Sequence, residues 1–229
     1  MLPEGSTSRR ANHERSSTVV ASRSPDEIAE FIVRRDRAFG SIVREIGPPP
    51  RRRRAPVDER FASLVRSVTF QLLATKAAAT IHSRVEELCG HVVTPRAILD
   101  VGHDRLRAAG LSHAKAAAML DLATRTESGL LQFSRHGRLD DDVVTREVVA
   151  ARGIGPWTAH MYLMHTLARR DVWPVGDFGV RAGWSVVHAM PEPISARELA
   201  REGEVLAGER SAVAWYCWRA LESSRRGEQ

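Results

Sequence analysis

Two short corners hold the residue types best suited to chemistry. In "RGIGPWTAH", residues 152–160, Gly153 and Gly155 permit a tight reversal, and Pro156 suits the first turn of the helix that follows. Backbone N–H groups at such a corner have no intrahelical acceptor and point outward, so a phosphate can accept from them. Thr158 adds a hydroxyl donor in the same turn. A lone G-x-G serves equally well as a plain chain reversal. In "PVGDFGVR", residues 174–181, Asp177 stands at the start of another helix, in an entry loop bent by Pro174 and Gly176. Asp is a favoured N-cap, which is the ordinary reading of such a residue. That reading is compatible with a chemical one, because a carboxylate that caps with one oxygen can aim the other into a cleft.

The elements that must position these corners read as helices. The spacing predicts them at about 58–73, 75–89, 95–100, 103–109, 112–127, 141–150, 156–168, 178–188, 196–207 and 210–222. Thr94-Pro95 and Ser112 are starts; Gly90, Gly102, Gly110 and Gly129 are stops. The first helix is expected to start at Ser24-Pro25-Asp26-Glu27. One or two helices then run to Gly47, with a break near Asp36. "PPPRRRRAP" is a stiff extended connector, since its prolines cannot continue a helix. No period-two alternation persists, so strands are not expected and the class is all-α. Residues 1–23 are expected to be a disordered basic tail, with the helical domain at 24–229 and the hairpin at about 141–168.

Composition narrows the function classes. No run of about 18 apolar residues exists and the N-terminus lacks an apolar stretch suited to a signal peptide, so no membrane partner and a cytoplasmic location are expected. Two cysteines, Cys89 and Cys217, are too few for a four-cysteine metal or iron–sulfur site. His82, His160 and His165 lack ligand spacing, so no metal held by side chains is expected. The net charge of +6 lies in the tail and in Arg51 to Arg54, on an otherwise neutral body. Charge alone therefore does not identify a nucleic-acid binder.

Three segments in order, "FASLVRSVTFQLLATKAAATIHSRV", "AAGLSHAKAAAMLDLA" and "VVAARGIGPWTAHMYLMHTLARRDVWPVGDFGVRAG", resemble the helix-hairpin-helix DNA glycosylases. The nearest branch is that of 3-methyladenine DNA glycosylase II, which removes alkylated bases. The resemblance covers roughly residues 58–190. It implies two helical lobes with a cleft between them, and Gly153, Ile154 and Gly155 as a clamp on DNA backbone. It further implies Thr158 as a phosphate neighbour and Asp177 as the catalytic carboxylate. In this family a monovalent cation is often held by main-chain carbonyls at the hairpin, and no other cofactor is required. "QLLATKAA" resembles the segment that fills the gap left by the extruded base, which nominates Gln71 and Leu72; a core position is the other reading of Leu72. Gly176 stands where many members carry a second acid.

The chemistry suits the residue types. A base inside a duplex must be rotated out, at roughly a few kcal/mol, into a pocket that stacks on it. Trp157, Tyr162, Trp173, Trp184, Trp215, Tyr216 and Trp218 crowd the C-terminal third. Trp157, Tyr162, Trp173, Trp215 and Trp218 are the pocket candidates, of which two or three are expected to line it. A cationic alkylpurine is drawn to such faces by roughly 0.5–2 kcal/mol. The carboxylate has to stabilise positive charge developing on the sugar, and it can also orient or deprotonate water. In the bifunctional branches a lysine follows the hairpin and attacks the sugar; the matching residue here is Trp157. The expectation is a monofunctional DNA glycosylase acting on alkylated purines in double-stranded DNA, monomeric, and nucleoid-associated if bacterial. The alternative is a non-catalytic hairpin module that binds damaged or structured DNA. An ionised carboxylate beside DNA phosphates repels them, which favours the enzyme.

Overall fold

The computed structural model describes residues 23–227. All but the last residue of the expected tail lies outside them. Arg23 itself sits 4.4 Å over the Phe31 ring and donates to Glu209 at 2.9 Å. The described residues contain helices and no strand. In chain order they are α1 (Pro25–Arg35), a 3-10 turn (Arg37–Phe39), α2 (Gly40–Ile46), α3 (Glu59–Phe70), α4 (Thr75–Leu88), α5 (Pro95–Ala108), α6 (His113–Glu127), α7 (Asp141–Val149) and α8 (Pro156–Met161). After α8 the chain widens into a π turn (Tyr162–Thr166), followed by α9 (Phe178–Val187), α10 (Ala196–Glu202) with a 3-10 extension (Gly203–Leu206), and α11 (Arg210–Gly227). No helix among the described residues is long and apolar enough to cross a membrane.

Local chemistry sets the boundaries. Ser24 and Glu27 form a reciprocal capping box around Pro25, with bonds of 3.2 and 2.6 Å. Asp36 ends α1 in extended conformation and caps the next turn through Ala38 N–H at 3.0 Å. Thr94 and Ser112 cap α5 and α6. Gly102, at φ 73° and ψ 170°, interrupts α5 where the sequence places a stop.

Two expected helices change character. The helix expected over 156–168 is regular only to Met161. Beyond it the carbonyls of Met164 and Thr166 are claimed by the connector: Ala55 N–H donates to Thr166 at 2.8 Å and Arg52 to Met164 at 3.4 Å. The helix expected over 196–207 tightens at Gly203, which lies so close to the Trp173 indole that no side chain fits.

The chain folds into two lobes that do not follow its order. α3 to α8 form one, around Phe61, Phe133, His136 and Tyr162. α1 and α2 join α9 to α11 in the other, around Phe39, Trp184 and Tyr216. Tyr216 ties α11 to the end of α2 through a 3.0 Å bond to the Gly47 carbonyl. Gly183 on α9 lies directly against the Cys217 carbonyl of α11, an approach only glycine allows. That contact sets where α11 can place Trp218.

Candidate active site and DNA interface

The hairpin between α7 and α8 is built from within. Ile154 is buried and anchors it. Gly153 has φ 71°, and a Cβ there would lie 3.1 Å from the Ala118 side chain of α6, so glycine is required for conformation and for space. Asp121 of α6 accepts from Arg152 N–H and from Arg125, each at 2.7 Å. Burial works to raise the Asp121 carboxyl, but those donors hold it below its ordinary value. Gly155 differs: its φ of −97° suits any residue, and a Cβ would meet nothing within 4 Å. Its surroundings are open, and among the described residues the N–H groups of Gly153 and Gly155 have no acceptor.

Thr158 requires a correction. Its side chain is buried and its hydroxyl accepts from the Gln71 amide at 2.8 Å, so it faces the protein interior and not a phosphate. The same amide donates to the Gly153 carbonyl at 3.3 Å. Gln71 thus fastens the α3–α4 turn to the hairpin. Lys115 of α6 braces the same turn. Its ammonium donates to the Thr69 and Gln71 carbonyls at 2.8 and 2.6 Å, closing the C-terminal end of α3. Leu72, at the tip of this braced turn, is 104% exposed with φ 53°. The core reading of Leu72 is excluded. A left-handed leucine costs about 1–2 kcal/mol, and the bracing from Lys115 and Gln71 offsets it.

Asp177 caps α9 and is 9% exposed. Its Oδ1 accepts from Val180 N–H at 2.7 Å and from the Trp218 indole at 3.0 Å. Its Oδ2 accepts from the Trp157 indole at 2.5 Å. Three neutral donors hold the group, and among the described residues no Lys, Arg or His forms an ion pair with it. Its negative charge is therefore positioned without being cancelled. Trp157 comes from the hairpin lobe and Trp218 from the other, so Asp177 lies at the seam between them.

Of the pocket candidates, the structure brings Trp157, 39% exposed, and Trp218 to Asp177. Tyr162, Trp173 and Trp215 are corrections. Tyr162 is five residues beyond Trp157, about 140° around the helix, and so points into the core. It is 1% exposed, its hydroxyl bonds His136 Nδ1 at 2.9 Å, and burial raises it above its ordinary value. Trp173 donates to the Leu199 carbonyl at 2.9 Å and packs on Trp184. Trp215 lines a separate cavity of about 180 Å³ beside Pro49, Pro50 and Arg51.

Two residues escaped the sequence reading. Phe178, next to Asp177 in the first turn of α9, is 56% exposed. A large apolar residue beside a charged cap was the available signal. His165, on the π turn, stacks on Trp218 with centroids 5.9 Å apart and planes at 24°. Nothing in the sequence marks that contact, because it crosses between lobes.

Comparison with known proteins gives a consistent picture. The model of the HhH-GPD superfamily of base excision DNA repair proteins matches residues 65–208. DNA-3-methyladenine glycosylase 1 of Schizosaccharomyces pombe is 30% identical over 187 residues, 80% of this chain and 82% of that protein. The structure of the S. pombe 3-methyladenine DNA glycosylase in complex with abasic DNA superposes with a TM-score of 0.78 at 29% identity, covering 84% of this chain and 95% of that one. A DNA-3-methyladenine glycosidase from Bacillus halodurans gives 0.74 at 31% identity, over 89% and 92% of the two chains. A motif-bearing hairpin, a capped aspartate at the lobe seam and a matching two-lobe architecture therefore coincide in one chain, which belongs to the HhH-GPD superfamily of base excision DNA repair proteins.

Proposed function

We propose that this protein is a monofunctional DNA glycosylase that hydrolyses the N-glycosidic bond of alkylated purines in duplex DNA. The observation that carries the reading is Asp177: a nearly buried carboxylate, held by three N–H donors and facing no cation, at the seam between the lobes. Fixed negative charge of this kind stabilises the positive charge that develops on the deoxyribose as the base departs. A module that only binds DNA has no use for it.

The other parts fall into order around that carboxylate. The free N–H groups of Gly153 and Gly155 receive a backbone phosphate, with Gly155 leaving room for its approach. Leu72 enters the stack where the target nucleotide has rotated out. Trp157 offers an exposed aromatic face beside Asp177 to a base that alkylation has made electron-poor. An alkylated base is a good leaving group, so no strong proton donor is required, and Asp177 also orients the attacking water. A monovalent cation fits the hairpin as well, since among the described residues the Val149, Ala150 and Arg152 carbonyls accept from no N–H; its contribution is to binding.

Strand cleavage by an imine intermediate needs a free amine, and the chain has two lysines, Lys76 and Lys115. The Lys115 ammonium is committed to two carbonyls, and Lys76 lies on α4 beyond the Leu72 turn. The product is accordingly an intact abasic site. The test is incubation with duplex DNA carrying 7-methylguanine or 3-methyladenine. Release of free base without strand breaks or a borohydride-trapped adduct is the expected result; a trapped adduct at a lysine refutes the monofunctional reading.

A further inference from the structure

The four arginines at 51–54 invite a common role on DNA phosphate, but Arg52 is set apart from its neighbours. Arg51, Arg53 and Arg54 are exposed, whereas Arg52 is half-buried and turned inward. Among the described residues it meets no carboxylate. One guanidinium nitrogen, Nη1, lies 3.4 Å from the Met164 carbonyl and donates in a short contact to Nδ1 of His165. The connector is pinned there by the Ala55 bond to Thr166, and the Thr166 and Ser63 hydroxyls meet at 2.6 Å.

His165 in turn stacks on Trp218, and Trp218 donates to Asp177 Oδ1 at 3.0 Å. The indole has little freedom, since a Cβ on Gly179 would already lie 2.9 Å from its Cδ1. A contiguous line of contacts thus runs from the connector to the carboxylate: Arg52, His165, Trp218, Asp177. We propose that Arg52 and His165 are positioning residues for base excision, Arg52 holding His165 neutral and stacked so that Trp218 stays bonded to Asp177. The inference rests on the function proposed above.

A guanidinium can donate to Nδ1 only when that nitrogen carries a lone pair, which places the ring proton on Nε2. Burial and the Arg52 charge push His165 down to about 4. Burial is the larger cause, and the Arg52 charge adds to it. Among the described residues no charge other than that of Arg52 acts on the ring: α11 presents Trp218 and α3 presents the Ser63 hydroxyl to neighbouring Thr166. A protonated His165 would stand one indole from Asp177 and offset the negative charge on which catalysis depends, besides losing its bond to Arg52. The arginine therefore keeps a second cation out of the site.

The test is single-turnover release of 7-methylguanine from duplex DNA between pH 5 and 8, with affinity for an abasic duplex measured over a range of salt. Wild type is compared with Arg52→Lys, Arg52→Met and the double variant Arg52→Met/His165→Phe, each checked for a cooperative melt. Arg52→Met should slow release about tenfold at pH 7 and move the acid limb to higher pH than in the wild type, with affinity and salt slope unchanged. Arg52→Lys, which keeps the charge and a donor, should retain the wild-type profile. The double variant should lose the acid limb, since phenylalanine stacks without titrating. NMR titration of the His165 ring gives a readout independent of activity, and its midpoint should rise in Arg52→Met. A salt slope lower by about 0.9 with release at saturation intact would identify Arg52 as a phosphate contact and overturn the proposal. So would a His165 midpoint that does not move. Failure of the wild type to release any alkylated base would instead refute the proposed function, leaving the ring titration to decide the Arg52–His165 contact.

Discussion

At the hairpin, side chains turn inward and the backbone is left outside; at the carboxylate corner the arrangement is reversed. Ile154, Thr158 and the Asp121 bond to Arg152 commit the hairpin's fixings to the interior, while the N–H groups of Gly153 and Gly155 remain without acceptors among the described residues. Around Asp177 every acceptor lone pair in use is met by a donor of the protein, one backbone and two indole. The first corner leaves its backbone donors open. The second is complete before any partner arrives, which is the condition for electrostatic preorganisation.

The sharpest way to break that contrast is Asp177→Asn. The amide keeps the cap and the shape but not the charge, so base release should fall by at least about 100-fold while DNA binding is retained. Single-turnover kinetics and an abasic-duplex affinity measurement read the two separately, and near-normal release would end the assignment of Asp177. The counterpart at the hairpin is Gly155→Asp, which puts a charge and a side chain into open space where a phosphate is expected. Affinity should drop by at least about tenfold, or roughly 1.4 kcal/mol, with the melting temperature little changed.

Gly153→Ala sharpens the comparison from within the hairpin. The left-handed backbone and the Ala118 contact at 3.1 Å should together lower stability by about 1–3 kcal/mol, which chemical denaturation would register. If Gly155→Ala were equally destabilising, the distinction between a structural and an open glycine would fail. Leu72→Ala should reduce release from a well-paired lesion by about fivefold and from a mismatched one by less, because extrusion is easier there; thermal stability should hold, since the side chain packs on nothing. The smallest effect concerns the connector. Replacing Arg51 and Arg53 by Ser should flatten the dependence of log affinity on log salt by one to two contacts' worth, about 0.9 each, with the rate at saturation unaltered.

Much of the helical framework was legible because it is written in local chemistry. Ser24, Thr94 and Ser112 announce helix starts by capping, and Gly102 interrupts α5 through its backbone alone. The π turn was not legible, since it depends on carbonyls claimed by a connector over 100 residues away in sequence. The site divides in the same manner. Gly153, Gly155 and Asp177 stand in motifs of fixed spacing, whereas aromatic direction is a matter of helix phase and lobe contact. Trp157 and Tyr162 lie five residues apart and serve opposite faces. The sequence presents Thr158 as an outward donor, yet its hydroxyl oxygen accepts from the Gln71 amide, and Lys115 donates to two carbonyls at the end of α3; in both cases the partner comes from another helix and no local pattern announces it.

The lobe that holds Asp177 is assembled from both ends of the chain, with α1 and α2 closing against α9 to α11, while the hairpin lobe is continuous from α3 to α8. During synthesis the N-terminal part emerges first, so the lobe that carries the hairpin can condense while its companion is still a pair of waiting helices. Asp177 acquires its last indole donor only when Trp218, 41 residues further along the chain, has left the ribosome. The hairpin can thus be in place in a nascent chain before the Asp177 carboxylate has its full set of donors.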